Sequence, residues 1–362
     1  MATKLLKKQD IGKLIEILAG DGTTFVAPRL EEGRVVYGVV EDAGDITFDY
    51  VIPISSFKEY LFPQSEVVAT YDLGKDGEGV TGVSMEFPPV VIFGARPCDA
   101  NSVASLRSVF VWGSEEEEKP LLEMKPEELA KMASSSNMFR DDFFTKREDK
   151  AIVITIACVK GDEDCFCTTV DLAPDSSSGS DIQLFETSND NFVVNTITGK
   201  GEDFVKKYRA VFSEGEEKRK KIDPPEKIAG IDINKIKEQL KSPSHYENPL
   251  WARMASKCVG CGACTYECPT CHCFDIADEM QGYTGERRKN WDACQFDFFT
   301  LHAGGHNPRD TQYKRWRNRF MCKFHIYPTK FQSIGCVGCG RCVRVCPTAL
   351  DITDVMEAIS SW

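Results

Sequence analysis

The chain has 362 residues, 42% hydrophobic and 28% charged, ordinary globular proportions that exclude a disordered or fibrous protein. Asp and Glu number 56 against 44 Lys and Arg, a net charge of −12 that argues against bulk binding to nucleic acid or anionic membrane. The 16 cysteines come with no secretory leader and no apolar run near the ~20 residues of a bilayer span, so a cytoplasmic metalloprotein is expected rather than a disulfide scaffold.

Residues 4–18 place Leu5, Ile11, Leu14, Ile15 and Leu18 at helical spacing. Arg34 to Val40 is β-branched and aromatic between Gly33 and Glu41-Asp42, and reads as a strand. The strongest strands are Val90 to Phe93 and Ala151 to Ile156, whose continuous apolar runs suit strands covered on both faces. Helical stretches are expected near 99–110 and 121–133, beside a solvated acidic run at 115–118. Strand, helix, strand at this spacing is a plausible crossover unit.

Cys98 follows the first of these strands, and Cys158 the second, with Cys165 and Cys167 in the same short loop. Parallel neighbours would bring all four to the carboxyl edge of one sheet, where open α/β folds place ligands. The quartet is then either a third [4Fe–4S] site or a set of buried inert thiols.

A Ser-rich loop at 175–181, a charged segment closed by Pro224-Pro225, and Ser242-Pro243 with Asn248-Pro249 mark soft boundaries. A cut near residue 245 gives an α/β domain over 1–245. The remainder, 246–362, is expected to be an α+β ferredoxin-like dicluster domain with a large insertion, 270–335. Charge divides the same way: residues 251–362 hold 14 Lys and Arg against 11 Asp and Glu, leaving 30 against 45 before them.

Two segments carry the chemistry. Cys258, Cys261, Cys264 and Cys268, followed by Pro269, form C-x2-C-x2-C-x3-C-P, and Cys336, Cys339, Cys342 and Cys346, followed by Pro347, repeat it. In this run the fourth cysteine serves the other cluster. The crossed assignment is Cys258, Cys261, Cys264 with Cys346, and Cys336, Cys339, Cys342 with Cys268. Glycines 260, 262, 338 and 340 let the backbone curl around each cluster. A pair of zinc ribbons is the competing account, but zinc sites rarely pack three cysteines at x2 intervals.

Cys271, Cys273, Cys294 and Cys322 remain, either as a fourth cluster, as packing thiols or as a redox-active pair, with His272 between the first two. Arg287, Arg288, Lys289, Arg309, Lys314, Arg315, Arg317, Arg319 and Lys323 either offset anionic clusters or are solvated surface. Gly304 and Gly305, in the turn Ala303 to Pro308, are expected to let backbone approach a cluster. No G-x-G-x-x-G or Walker loop is present, so this chain alone is expected to bind neither flavin nor nicotinamide.

The blocks FGARPCDA, IACVKGDEDCFC, CVGCGACTYECPTCHCFDIADE, RRKNWDACQF, AGGHNPR, RWRNRFMCKF and CVGCGRCVRVCP resemble the β subunit of cytoplasmic [NiFe] sulfhydrogenases and the A subunit of anaerobic sulfite reductases. The likeness covers most of the chain from about Phe87 onward and is weaker before it. It implies a non-catalytic iron–sulfur electron-transfer subunit, with no catalytic residues of its own. Such a subunit lies between a flavin/NAD(P)-binding subunit and a catalytic or further iron–sulfur subunit. It also implies a third cluster at Cys98, Cys158, Cys165 and Cys167. For the fourth group, positions 271, 273 and 294 match, while family members can carry His where this chain has Cys322. The alternatives are an enzyme working at a site-differentiated cluster near Cys294, Cys322 or His306, and a nucleic-acid module with structural metal.

Overall fold

The computed structural model describes residues 4–74, 76–77, 79–112 and 139–362; the helical stretch expected over 121–133 and the acidic run at 115–118 lie outside them. The strands in chain order are β1 (Lys4–Lys7), β2 (Thr24–Glu31), β3 (Arg34–Val39), β4 (Ser65–Asp72), β5 (Gly79–Gly82), β6 (Val90–Ala95) and the short β7 (Val111–Trp112). They continue with β8 (Phe139–Arg140), β9 (Ala151–Ile156), β10 (Ile182–Glu186), β11 (Asn191–Thr196), β12 (Phe212–Glu214), β13 (Phe274–Gln281) and β14 (Thr284–Trp291).

The main sheet runs β12-β1-β11-β10-β9-β6-β2-β3. Its centre is parallel, since β2 pairs with β6, β6 with β9 and β9 with β10 in that sense, while the margins are antiparallel. The architecture is therefore mixed α/β. Alternate side chains of β6 and β9 enter two different cores. Val91, Phe93, Ile154 and Ile156 join one face, and Val90, Ile92, Ala151 and Val153 join the other. That two-sided cover is what a continuous apolar strand requires.

The N-terminal expectation is corrected. Residues 4–7 form β1, placing Leu5 in the sheet, and the helix begins only at Ile11 and ends at Gly20. Antiparallel pairing of β1 with both β11 and β12 decides the matter, because tertiary context overrides local propensity.

A third core gathers Ile233, Ile236 and Leu240 with Trp251, Trp316, Phe320, Ile352, Val355 and Ile359. The expected cut near residue 245 falls inside this core. A second sheet, β13-β14-β4-β5, also joins the two portions, since β14 of the expected insertion pairs with β4 over Ser65 to Asp72.

Candidate metal centres

The parallel pairing of β6 and β9 sends both of their C-terminal ends to one edge. Beyond β6, Arg96 anchors the turn: its Nε donates to the Val51 carbonyl at 2.9 Å, its Nη2 to the Tyr50 carbonyl, and its guanidinium stacks 4.0 Å over the Tyr50 ring. Pro97 opens the helix Pro97–Phe110, so Cys98 sits in its first turn. Beyond β9, Cys158 is fixed by its N–H, which donates to the Pro174 carbonyl at 2.9 Å. Cys98, Cys158, Cys165 and Cys167 all line one cavity, and Cys339 of the second ferredoxin run stands in its wall.

That neighbouring wall depends on glycine. Gly338 adopts φ +62°, and a Cβ there would lie 2.5 Å from both Cα and N of Cys167; its carbonyl accepts the Phe166 N–H at 2.9 Å. Gly260, Gly262 and Gly340 also have positive φ. Gly338→Ala incurs about 1–2 kcal/mol for the left-handed conformation alone, plus the clash. Denaturant unfolding is expected to show at least that loss; unchanged stability would refute the close packing.

A second cavity is lined by Cys258, Cys261, Cys264 and Cys346, with Cys342 and Arg319 beside them. Three cysteines of the first run thus meet the last cysteine of the second, as the crossed spacing suggests. Cys268 is not among the residues lining that cavity. Burial pushes the Cys336 and Cys339 thiols up to about 11 and about 12, and Cys268 is near enough to reinforce both shifts. Cys268 is itself held well below the ordinary thiol range, first by a hydrogen bond from Cys271 and then by the Lys323 ammonium.

Of the last four cysteines, Cys273, Cys294 and Cys322 lie near one another, while Cys271 turns to Cys268. Cys273 donates to Cys294, which that bond draws down to about 6 against burial. Cys322, pushed up to about 11 by burial, faces Cys294, and Cys271 bonds Cys268. His272 is kept neutral by burial, with its pKa lowered to about 4, and its Nδ1 lies 2.9 Å from the Tyr327 hydroxyl.

Seven of the nine basic residues separate into two sets. Arg287 pairs with Asp278 at 2.7 Å, Arg288 with Glu286 at 2.6 Å, Lys289 with Glu66 at 2.7 Å and Lys314 with Asp310 at 2.7 Å. Arg317 stacks 3.5 Å over the Tyr246 ring. These are structural contacts. Arg319 and Lys323 instead face thiols. Two contacts escaped the sequence reading. Lys58 is buried with its Nζ on the Cys268 and Cys271 carbonyls at 2.9 and 3.3 Å. Arg341 Nη2 donates to Asp99 Oδ2 at 2.8 Å, tying the residue after Cys98 to the loop of Cys339 and Cys342. In the turn at 303–308 a Cβ on Gly304 or Gly305 would meet nothing within 4 Å, and exposed His306 packs against His302.

The donor set suits iron–sulfur chemistry. Soft thiolates select zinc, copper or Fe–S clusters, and among the described residues no three His, Cys, Asp or Glu close around a single-ion point. The thiols stand apart around cavities, and Arg319, whose Nε and Nη2 are buried donors without a protein partner, lines one of them. Cluster sulfurs would satisfy those donors.

Comparison with known proteins agrees. Residues 257–350 match the 4Fe-4S dicluster domain family. The beta subunit of sulfhydrogenase 2 from Pyrococcus furiosus is 31% identical over 354 residues, covering 91% of this chain and 94% of that protein. The chain belongs to the sulfhydrogenase beta-subunit family. It is an iron–sulfur subunit of an oxidoreductase and carries [4Fe–4S] clusters. Among its described residues no helix is long and apolar enough to cross a membrane.

Membership gives the thiol titrations a consequence. Burial pushes Cys158, Cys167 and Cys264, like Cys336, up to about 11, so in the metal-free chain these groups keep their protons at neutral pH. Any of them that binds iron must release its proton as it does so. Cluster retention therefore weakens as pH falls, toward about tenfold per pH unit for each proton released. Iron lost to a chelator at pH 6 should exceed that at pH 8; the reverse order would contradict the assignment.

Proposed function

We infer that this chain is an electron relay of a cytoplasmic hetero-oligomer, passing single electrons between a flavin/NAD(P)-binding subunit and a catalytic subunit such as a hydrogenase or sulfur/sulfite reductase. The observation that carries the reading is a shared wall on each side. Cys339 lines the cavity of Cys98, Cys158, Cys165 and Cys167, and Cys342 lines the cavity of Cys258, Cys261, Cys264 and Cys346. The group Cys336, Cys339, Cys342 and Cys268 thus stands between the two others, and we read the three quartets as three cluster sites in a row.

Bound [4Fe–4S] clusters supply one-electron chemistry at low potential. The protein supplies ligands, donors to sulfur and burial. Gln312 Nε2 donates to Cys258 Sγ at 3.4 Å, the Leu350 N–H to Cys346 Sγ at 3.2 Å, and Arg344 Nη2 to Cys165 Sγ at 3.7 Å. Cys261 is the exposed member of the sixteen cysteines, next to Val259 at 66% exposure. That end is the proposed port for a docked partner, and the subunit status of the Pyrococcus relative supports such a partner.

The test uses the anaerobically purified complex. Cys339→Ser in the middle quartet should abolish donor-to-acceptor turnover while chemical reduction of the outer clusters persists. Undiminished turnover would overturn the relay.

A further inference from the structure

Behind the two ferredoxin loops one helical rod carries two buried cations a turn apart. The helix Gln312–Met321 holds Arg319, 4% exposed, and the π-helical turn Cys322–Ile326 that continues it holds Lys323, 3% exposed. The wide turn has a local cause: Pro328, in the next helical turn, has no N–H to donate to the Phe324 carbonyl. The Lys323 carbonyl is accepting instead from the Gly335 N–H at 2.8 Å, next to Cys336.

The two cations are held differently. Lys323 Nζ donates to Cys268 Sγ at 3.1 Å, Thr270 Oγ1 at 3.0 Å and the Gly335 carbonyl at 2.8 Å, and reaches Cys271 Sγ at 3.8 Å. Arg319 Nε and Nη2 have no partner, though the side chain is buried in the wall of the Cys258 cavity. The groups that face Arg319 most strongly are Cys264 and Cys342, one from each ferredoxin run. Those facing Lys323 are Cys268, Cys271 and Cys336.

A four-thiolate cubane is anionic, and one added electron makes it more so. A fixed buried cation at its sulfurs therefore stabilises the reduced form more than the oxidised form. The geometry points to Arg319 and Lys323 as residues that set cluster potential: Arg319 raises the potentials of both ferredoxin-run clusters, and Lys323 raises that of the Cys268 cluster. The inference rests on the ligand assignment proposed above.

The test is a potentiometric EPR titration of the full chain, purified anaerobically, with dithionite supplying one electron per cluster and signals assigned through Cys261→Ser and Cys336→Ser. Arg319→Gln should lower the reduced-to-oxidised ratio of both clusters at least tenfold at fixed potential, a shift of about 59 mV for one electron. Lys323→Gln should do so only for the Cys268 cluster, and Arg319→Lys should stay near the parent. Loss of iron from Arg319→Gln with full loading and unshifted potentials in Arg319→Lys upholds the requirement for charge. Full loading with unshifted ratios in both neutral variants overturns the proposal, as does iron loss from Arg319→Gln and Arg319→Lys alike. Fewer than about eight irons in the parent chain would instead overturn the ligand assignment.

Discussion

Replacing Asp99 by Ala will destabilise the protein by about 3–5 kcal/mol, because it strands a buried guanidinium. Asp99 and Arg341 are each 1% exposed, and the guanidinium meets the carboxylate through both of its terminal nitrogens. Its remaining donors go to the Pro53 carbonyl at 2.9 Å and the Ser55 carbonyl at 3.3 Å, while Tyr37 donates to Asp99 Oδ2 at 2.9 Å. These partners are already committed, so nothing named there replaces the lost carboxylate. The pair joins the first turn of the Cys98 helix to the second ferredoxin loop, so the cluster proposed at Cys98 should become labile as well. The double variant Asp99→Leu/Arg341→Met removes both charges and should recover most of the loss. Anaerobic urea unfolding with iron analysis reads both effects. A loss below about 1 kcal/mol would mean that the pair behaves like a surface ion pair.

Cys346→Ser will remove the same cluster signal as Cys258→Ser, and Cys268→Ser the same signal as Cys336→Ser. Each loss is expected to amount to about four irons per chain. The physical ground is the cavity that collects Cys258, Cys261, Cys264 and Cys346, while Cys268 is bonded toward Lys323 and Cys271. If Cys346→Ser instead eliminated the signal that depends on Cys336, each run would bind its own cluster and the crossed assignment would fall.

The parts legible in the sequence were those whose geometry is local. Three cysteines at x2 intervals with intervening glycines specify a loop whatever the rest of the fold does, and the repeat announced itself. The edge position of Cys98 and Cys158 followed from two apolar strands, β6 and β9, whose two-sided burial required a parallel centre. What stayed hidden is long-range. Nothing in residues 65–82 announces that they will pair with the hairpin at 274–291, and the polar, exposed β13 carries little apolar signal. Helical spacing over residues 4–18 misplaces Leu5, because a four-residue strand has too few positions for a period to emerge.

The Asp99–Arg341 contact spans 242 residues, yet a trace of it was present. The two runs agree from Cys258 to Gly262 and from Cys336 to Gly340, then part at Ala263 and Arg341. That first of their four differences marks the loop that meets the α/β portion. Lys58 gave no comparable sign, since a lone lysine reads as surface until its burial is known.

The central claim is that thiols in this chain hold iron–sulfur clusters in a row. Iron and acid-labile sulfide per chain, measured after anaerobic purification with Mössbauer spectroscopy on the same sample, tests it most directly. Three quartets predict about twelve irons in the cubane state with equal sulfide, rising to about sixteen if Cys271, Cys273, Cys294 and Cys322 also load. A colourless protein with stoichiometric zinc, or no more than eight irons, would contradict the account.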